Sequence, residues 1–233
     1  MDPPSPILSF EDVTIESGPL HETGMWNISF ALQPGELLLV RVEPEHARLP
    51  LADAAVGVAV PTQGRVAFLG EDWQAMSADH AAAQRGRTGR VFDDGGWVNN
   101  LNVDENIVLA QRHHTARSEE EILDEALDLA RLFGLPGLPR GRPGSTRRLD
   151  LQKAACVRAF LGHPQLVLLE RPTRGVYADL IAPLVNVVQA ARRRGAAVLW
   201  TTDDQQVWSN RGLRATTRAK MFGSQLHLME PEP

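Results

Sequence analysis

Three short apolar runs constrain what this chain can fold into more than any other feature. Leu37–Val42, Leu166–Leu169 and Ala196–Thr201 are almost free of polar interruptions. Strands read this way when a sheet is covered on both faces. Between the runs the period changes to that of a helix. Ile122, Leu123, Ala126, Leu127, Ala130 and Phe133 recur at helical spacing, as do Leu180, Ile181, Leu184, Val185 and Val188. Strands alternating with helices predict an α/β core with a largely parallel sheet.

The flanking segments fit around that core. Ile7–Ile15 and Arg65–Leu69 read as strands, and Trp26–Leu32 alternates apolar and polar like a half-buried one. Ser118 with Glu121 predicts a capping box that opens a helix, and Gly134 predicts its end. A Pro/Gly/Arg-rich loop follows from Leu135 to Ser145. Leu149–Leu161 is apolar around most of its circumference and predicts a buried helix. Lys220–Leu228 predicts a hairpin around Gly223-Ser224.

Composition narrows the class. Of 233 residues, 43% are hydrophobic and 23% charged, as in ordinary globular proteins. The formal charge of −5 gives no field that favours nucleic acid. One cysteine, Cys156, excludes an internal disulfide framework and suits a reducing compartment. The N-terminus lacks the basic and apolar regions of a signal peptide. No apolar run approaches the roughly 20 residues that span a bilayer. Work at a membrane would therefore go through a partner.

Four stretches, in order, resemble the ATP-binding subunits of ABC transporters. Pro34-Gly35-Glu36 with Leu37–Val42 is similar to the family's "PGE" turn and the strand feeding its phosphate loop. Pro61-Thr62-Gln63-Gly64 is similar to its "PTSG" turn. The segment from Asn100 to Ile107 (NLNVDENI) is similar to "NLTVLENV", and that from Leu166 to Thr173 (LVLLERPT) to the Walker B motif "LLLLDEPT". The resemblance implies one ABC-ATPase-like domain over residues 1–233. It would have a P-loop NTPase-like α/β core with a largely parallel sheet, an antiparallel β subdomain and an inserted helical subdomain near residues 93–162.

Position by position, the resemblance also implies lost chemistry. A phosphate loop needs glycines, a lysine and a Ser/Thr magnesium ligand. The corresponding segment, Val42–Pro50, has none of the glycines. Glu43 and Glu45 oppose phosphate charge. Arg48 stands at the lysine position, the one residue there able to meet phosphate. Leu49 and Pro50 replace the hydroxyl residues. Asp93 stands at the Q-loop glutamine, and Thr146-Arg147-Arg148-Leu149-Asp150 at the LSGGQ signature. Glu170 stands at the Walker B aspartate, Arg171 at the catalytic glutamate and Thr202 at the switch histidine. Tyr177 replaces the D-loop aspartate after Gly175, and no adenine-stacking aromatic lies near Ser17. An arginine cannot serve as a general base for water.

The expectation is a degenerate cassette that docks on a membrane permease, pairs with itself or another cassette, and does not hydrolyse ATP. No cofactor, metal or nucleic acid is expected. Its place would be cytoplasmic, peripheral on the inner face of the cell membrane. The docking surface implied by the resemblance is Asp93–Gln111, with Asp93, Trp97 and Asn100 foremost. Trp97 also reads as a local packing anchor. The flavour of this stretch is that of bacterial lipid-trafficking ATPases. Two alternatives stand: a divergent active ATPase using ATP and Mg²⁺ through Arg48 and Glu170, and a regulatory scaffold without a transporter. His113-His114, without a third ligand, read as surface residues. Arg192–Arg194 read as a basic helix C-terminus, and Cys156 as a core residue.

Overall fold

The structure, a computed structural model, describes residues 5–19, 21–43 and 49–229. The elements in chain order are β1 (Leu8–Ile15), β2 (Met25–Leu32), β3 (Leu37–Arg41), α1 (Leu51–Ala55), β4 (Gln63–Phe68), β5 (Glu71–Asp72), α2 (Ala78–Arg85) and β6 (Thr88–Val91). They continue with α3 (Val103–His114), α4 (Glu119–Leu132), α5 (Arg148–Phe160), β7 (Leu166–Glu170), α6 (Tyr177–Arg193), β8 (Ala197–Thr202), α7 (Gln205–Trp208), β9 (Thr217–Phe222) and β10 (Gln225–Met229).

The three apolar runs are neighbours in one sheet. Its order is β10-β9-β3-β8-β7-β6. β3 pairs parallel with β8 and β9, and β7 pairs parallel with β8 and β6. Only the terminal hairpin is antiparallel. Each central strand is buried on both faces because its side chains alternate between two cores. Leu37, Leu39, Val167, Leu169, Val198 and Trp200 face the helices α3–α6. Leu38, Val40, Leu166, Leu168, Ala197 and Leu199 face α1 and a second sheet. Each buried Leu or Val contributes about 1.5–3 kcal/mol.

That second sheet is antiparallel, in the order β2-β1-β4-β5. It carries Phe10 stacked on Phe30 at 4.6 Å and Phe68 on Trp73 at 5.5 Å. Glycine is needed at Gly64, the second residue of β4, because its φ is +80° and a Cβ there would sit 2.3 Å from the Glu11 carbonyl oxygen.

Helices α3, α4 and α5 fill the segment 93–162. Ser118 and Glu121 do form the capping box: the Glu121 amide donates to Ser118 Oγ, and the Ser118 amide donates to Glu121 Oε2 at 2.8 Å. Six elements have no individual sequence reading: α1, β5, α2, β6, α3 and α7. All but α3 are short, and α2 is half alanine with polar residues, so it lacks a clear apolar stripe. Arg192, at the end of α6, donates to the Gly35 carbonyl at 2.8 Å and to the Leu213 and Arg214 carbonyls, so it is a structural tie. Among the described residues no helix is long and apolar enough to cross a membrane.

Candidate functional site

The carboxyl ends of the parallel strands form one rim, and charged side chains crowd there. β6 and β7 run parallel with Arg90 opposite Leu168. Glu170, two residues beyond Leu168, therefore emerges on the same face as Arg90. Arg90 Nε donates to Glu170 Oε1 at 2.6 Å, and its Nη1 donates to Asp53 Oδ1 at 2.6 Å. Asp53 belongs to α1, and its other oxygen lies 2.9 Å from His21 Nε2. The Arg90 and Glu170 side chains are only 14% and 16% exposed. One guanidinium thus joins Asp53, in the first turn of α1, to Glu170 at the end of β7.

The two carboxylates respond differently. Burial pushes the Glu170 carboxyl above its usual range, and the bond from Arg90 only partly offsets this. Burial also opposes ionisation of Asp53, but the charge and hydrogen bond of Arg90, aided by His21, hold it below its usual range. Asp53 is the more exposed of the two, at 28% against 16%, so its desolvation is lighter.

Arg171 builds a second cluster. Its side chain is 6% exposed and grips Asp93 with both arms of its fork, Nε to Oδ1 at 2.8 Å and Nη2 to Oδ2 at 2.6 Å. Its Nη1 lies 3.7 Å from Asp203 Oδ2, and Arg174 Nη1 lies 3.6 Å from Asp93. The backbone of Arg171 has φ +43°, a conformation that non-glycine residues adopt only when surroundings impose it.

The remaining expected positions are placed as follows. Thr202 is 2% exposed, and its hydroxyl accepts from the Asp204 amide at 3.1 Å. Glu43 is half-buried just past β3, and Leu49 is half-buried beside a buried Pro50 that precedes α1. Glu45 and Arg48 lie outside the described residues. Trp97 is half-buried against the helical core, with the Arg158 guanidinium 4.4 Å from its ring centre. Asn100 is exposed, and Arg142 donates to its carbonyl. Cys156 is fully buried, and burial pushes its thiol up, as suits a core residue. His113 and His114 pack edge to face at 4.7 Å; no cluster of three or more candidate metal ligands occurs among the described residues.

Sequence reasoning singled out Glu170, Arg171 and Asp93 but missed Arg90, Asp53, His21 and Asp203. The missing signal was the unassigned strand β6. Once Thr88–Val91 is a strand beside Leu166–Glu170, Arg90 has to face Glu170.

A mixed core sheet, an antiparallel flanking sheet and the helices α3–α5 between β6 and β7 give the fold of an ABC-transporter ATP-binding cassette. No family model matches the chain. It is 27% identical over 202 residues to the "Probable ribonucleotide transport ATP-binding protein mkl" of Mycobacterium leprae, covering 84% of this chain and 58% of that protein. It is 24% identical over 206 residues to the "Macrolide export ATP-binding/permease protein MacB" of Hyphomonas neptunium, covering 87% of this chain and 32% of that protein. The chain thus spans little more than half the length of the first of these relatives. In structure it is similar to the dimeric MJ0796, a bacterial ABC transporter cassette, with a TM-score of 0.79 and 18% identity over 94% of this chain and 96% of that one.

Proposed function

We propose that this chain is the cassette subunit of an ABC transporter that contributes a docking surface to a membrane permease and does not hydrolyse ATP. The observation that carries the reading is Arg171. It stands where hydrolysis needs a carboxylate base, and it is spent on a bidentate ion pair with Asp93. The side chains present also do not fit magnesium nucleotide. Leu49 and Pro50 offer no oxygen ligand, and the Glu170 carboxylate is engaged by Arg90. A guanidinium between Asp53 and Glu170 would repel a second cation there.

The docking surface runs along the exposed edge of residues 93–111. Val98 and Leu109 are exposed apolar residues of that stretch, and Asn100 is exposed with them. Asp93 is exposed on it and held by Arg171, and Trp97 is half-buried, packed under Arg158. Such a subunit would lie on the inner face of the cell membrane. Association with an intact second cassette is compatible with this role, as is a second copy.

The test has two arms. Purified chain should show no ATP turnover above buffer. Tagged chain in its own cells should co-purify with a polytopic membrane protein, and Leu109→Asp should abolish that recovery while leaving the chain folded. Turnover that vanishes on Arg48→Ala would overturn the first half. Recovery unchanged by Leu109→Asp would overturn the second.

A further inference from the structure

We propose that Arg171, with Arg90 and Arg158, forms a ligand-independent clasp that fixes the loop from Phe92 to Val98 against the core sheet, so that the docking face is presented without nucleotide. The purpose assigned to the clasp rests on the docking reading; the clasp itself rests on geometry alone.

This loop is irregular, yet arginines from three elements hold it. From the end of β7, Arg171 grips Asp93 with two hydrogen bonds of 2.8 and 2.6 Å. From β6, the Arg90 guanidinium lies 4.3 Å from the centre of the Phe92 ring. From α5, Arg158 donates to the Gly95 carbonyl at 2.7 Å and to the Gly96 carbonyl at 2.8 Å, and covers Trp97. The two glycines have φ of +84° and +51°, which turns both carbonyls toward one guanidinium. The far end is sealed by Asn106, whose Oδ1 accepts from the Val98 amide at 2.8 Å and whose Nδ2 donates to the Val98 carbonyl at 3.1 Å. Asn106 is 3% exposed and sits in the first turn of α3.

Each anchor is a side chain of this chain, and the anchors are linked. Glu170 and Arg171 are consecutive, so the Arg90–Glu170 pair and the Arg171–Asp93 pair share one backbone hinge. A network of this kind is coupled: removing one member loosens the others, and removing a second adds little. Arg171 is therefore a positioning residue for the docking segment.

Hydrogen exchange on the full chain tests this. The variants are Arg171→Gln, Asp93→Asn and the two combined. Amides of 92–98 and of the first turn of α3 should exchange about tenfold faster in either single variant. The double variant should be no faster than Arg171→Gln. Strands β3, β7 and β8 should keep wild-type protection, and millimolar Mg-ATP should leave the wild-type pattern unchanged. Wild-type exchange in both singles, additive losses, or protection of this loop by Mg-ATP would each overturn the proposal. If Arg171→Gln fails to fold, Asp93→Asn decides, since that side chain is partly exposed. Lost protection with no membrane partner recovered by the wild type leaves the clasp and removes docking; the opposite pair of results does the reverse.

Discussion

Arg90 illustrates how one residue can tie three elements together. From β6 it pairs with Asp53 of α1 and with Glu170 of β7. Arg90→Ala should cost about 3 kcal/mol, because it strands buried charge. Glu170→Gln should cost less, since burial opposes ionisation of Glu170 and the Gln carbonyl can still accept from Arg90 Nε. Urea midpoints of the two variants check the order. Asp53 sets a pH dependence of known sign. Its folded carboxyl lies below the usual value, so it contributes stability above about pH 4, lost as pH falls through the folded value. Asp53→Asn should flatten that acid limb in denaturant titrations below about pH 4. For nucleotide, calorimetry with millimolar Mg-ATP should show no saturable heat. Micromolar binding would favour a regulatory or catalytic site instead.

Much of the element scale was legible in the sequence. The unbroken runs at Leu37–Val42 and Leu166–Leu169 announce strands covered twice, and the cores on each face explain why no alternation survives there. The Ser118–Glu121 cap and the terminal hairpin were legible because each signal is local. β6 was not, because four residues with an arginine and a glycine carry no readable period. With β6 went Arg90, whose partners lie 37 and 80 positions away. The family resemblance already implies that Glu170 and Arg171 stand at catalytic positions. The ion pairs that these side chains make were visible only once parallel pairing set the register. At this scale the docking segment makes its own prediction. Val98→Asp and Leu109→Asp place charge on an exposed apolar edge and should leave thermal stability within about 0.5 kcal/mol. The same changes should remove permease association in a co-purification assay.

At the scale of the whole molecule, the question is whether an intact cassette paired with this chain could restore hydrolysis. MJ0796, similar in fold, has been solved as a dimer, and one such structure is described as a post-hydrolysis state bound to ADP and Pi. In this chain the substitutions fall on both halves of what such a pairing would need. The phosphate-loop segment lacks its glycines and hydroxyls, and the signature position reads Thr146-Arg147-Arg148-Leu149-Asp150. If, as the family resemblance implies, each site of a head-to-tail pair joins the phosphate loop of one cassette to the signature loop of the other, pairing with an intact cassette leaves neither site complete. On the proposed reading, transport that depends on this chain should therefore depend on its surface and not on the rim of the sheet. Arg48→Ala and Glu170→Gln should therefore leave both assembly and transport at wild-type level in cells, while Leu109→Asp should abolish both. Loss of transport with assembly intact in either of the first two variants would mean that the rim of the sheet still works as a site, and that Arg48 or Glu170 takes part in it.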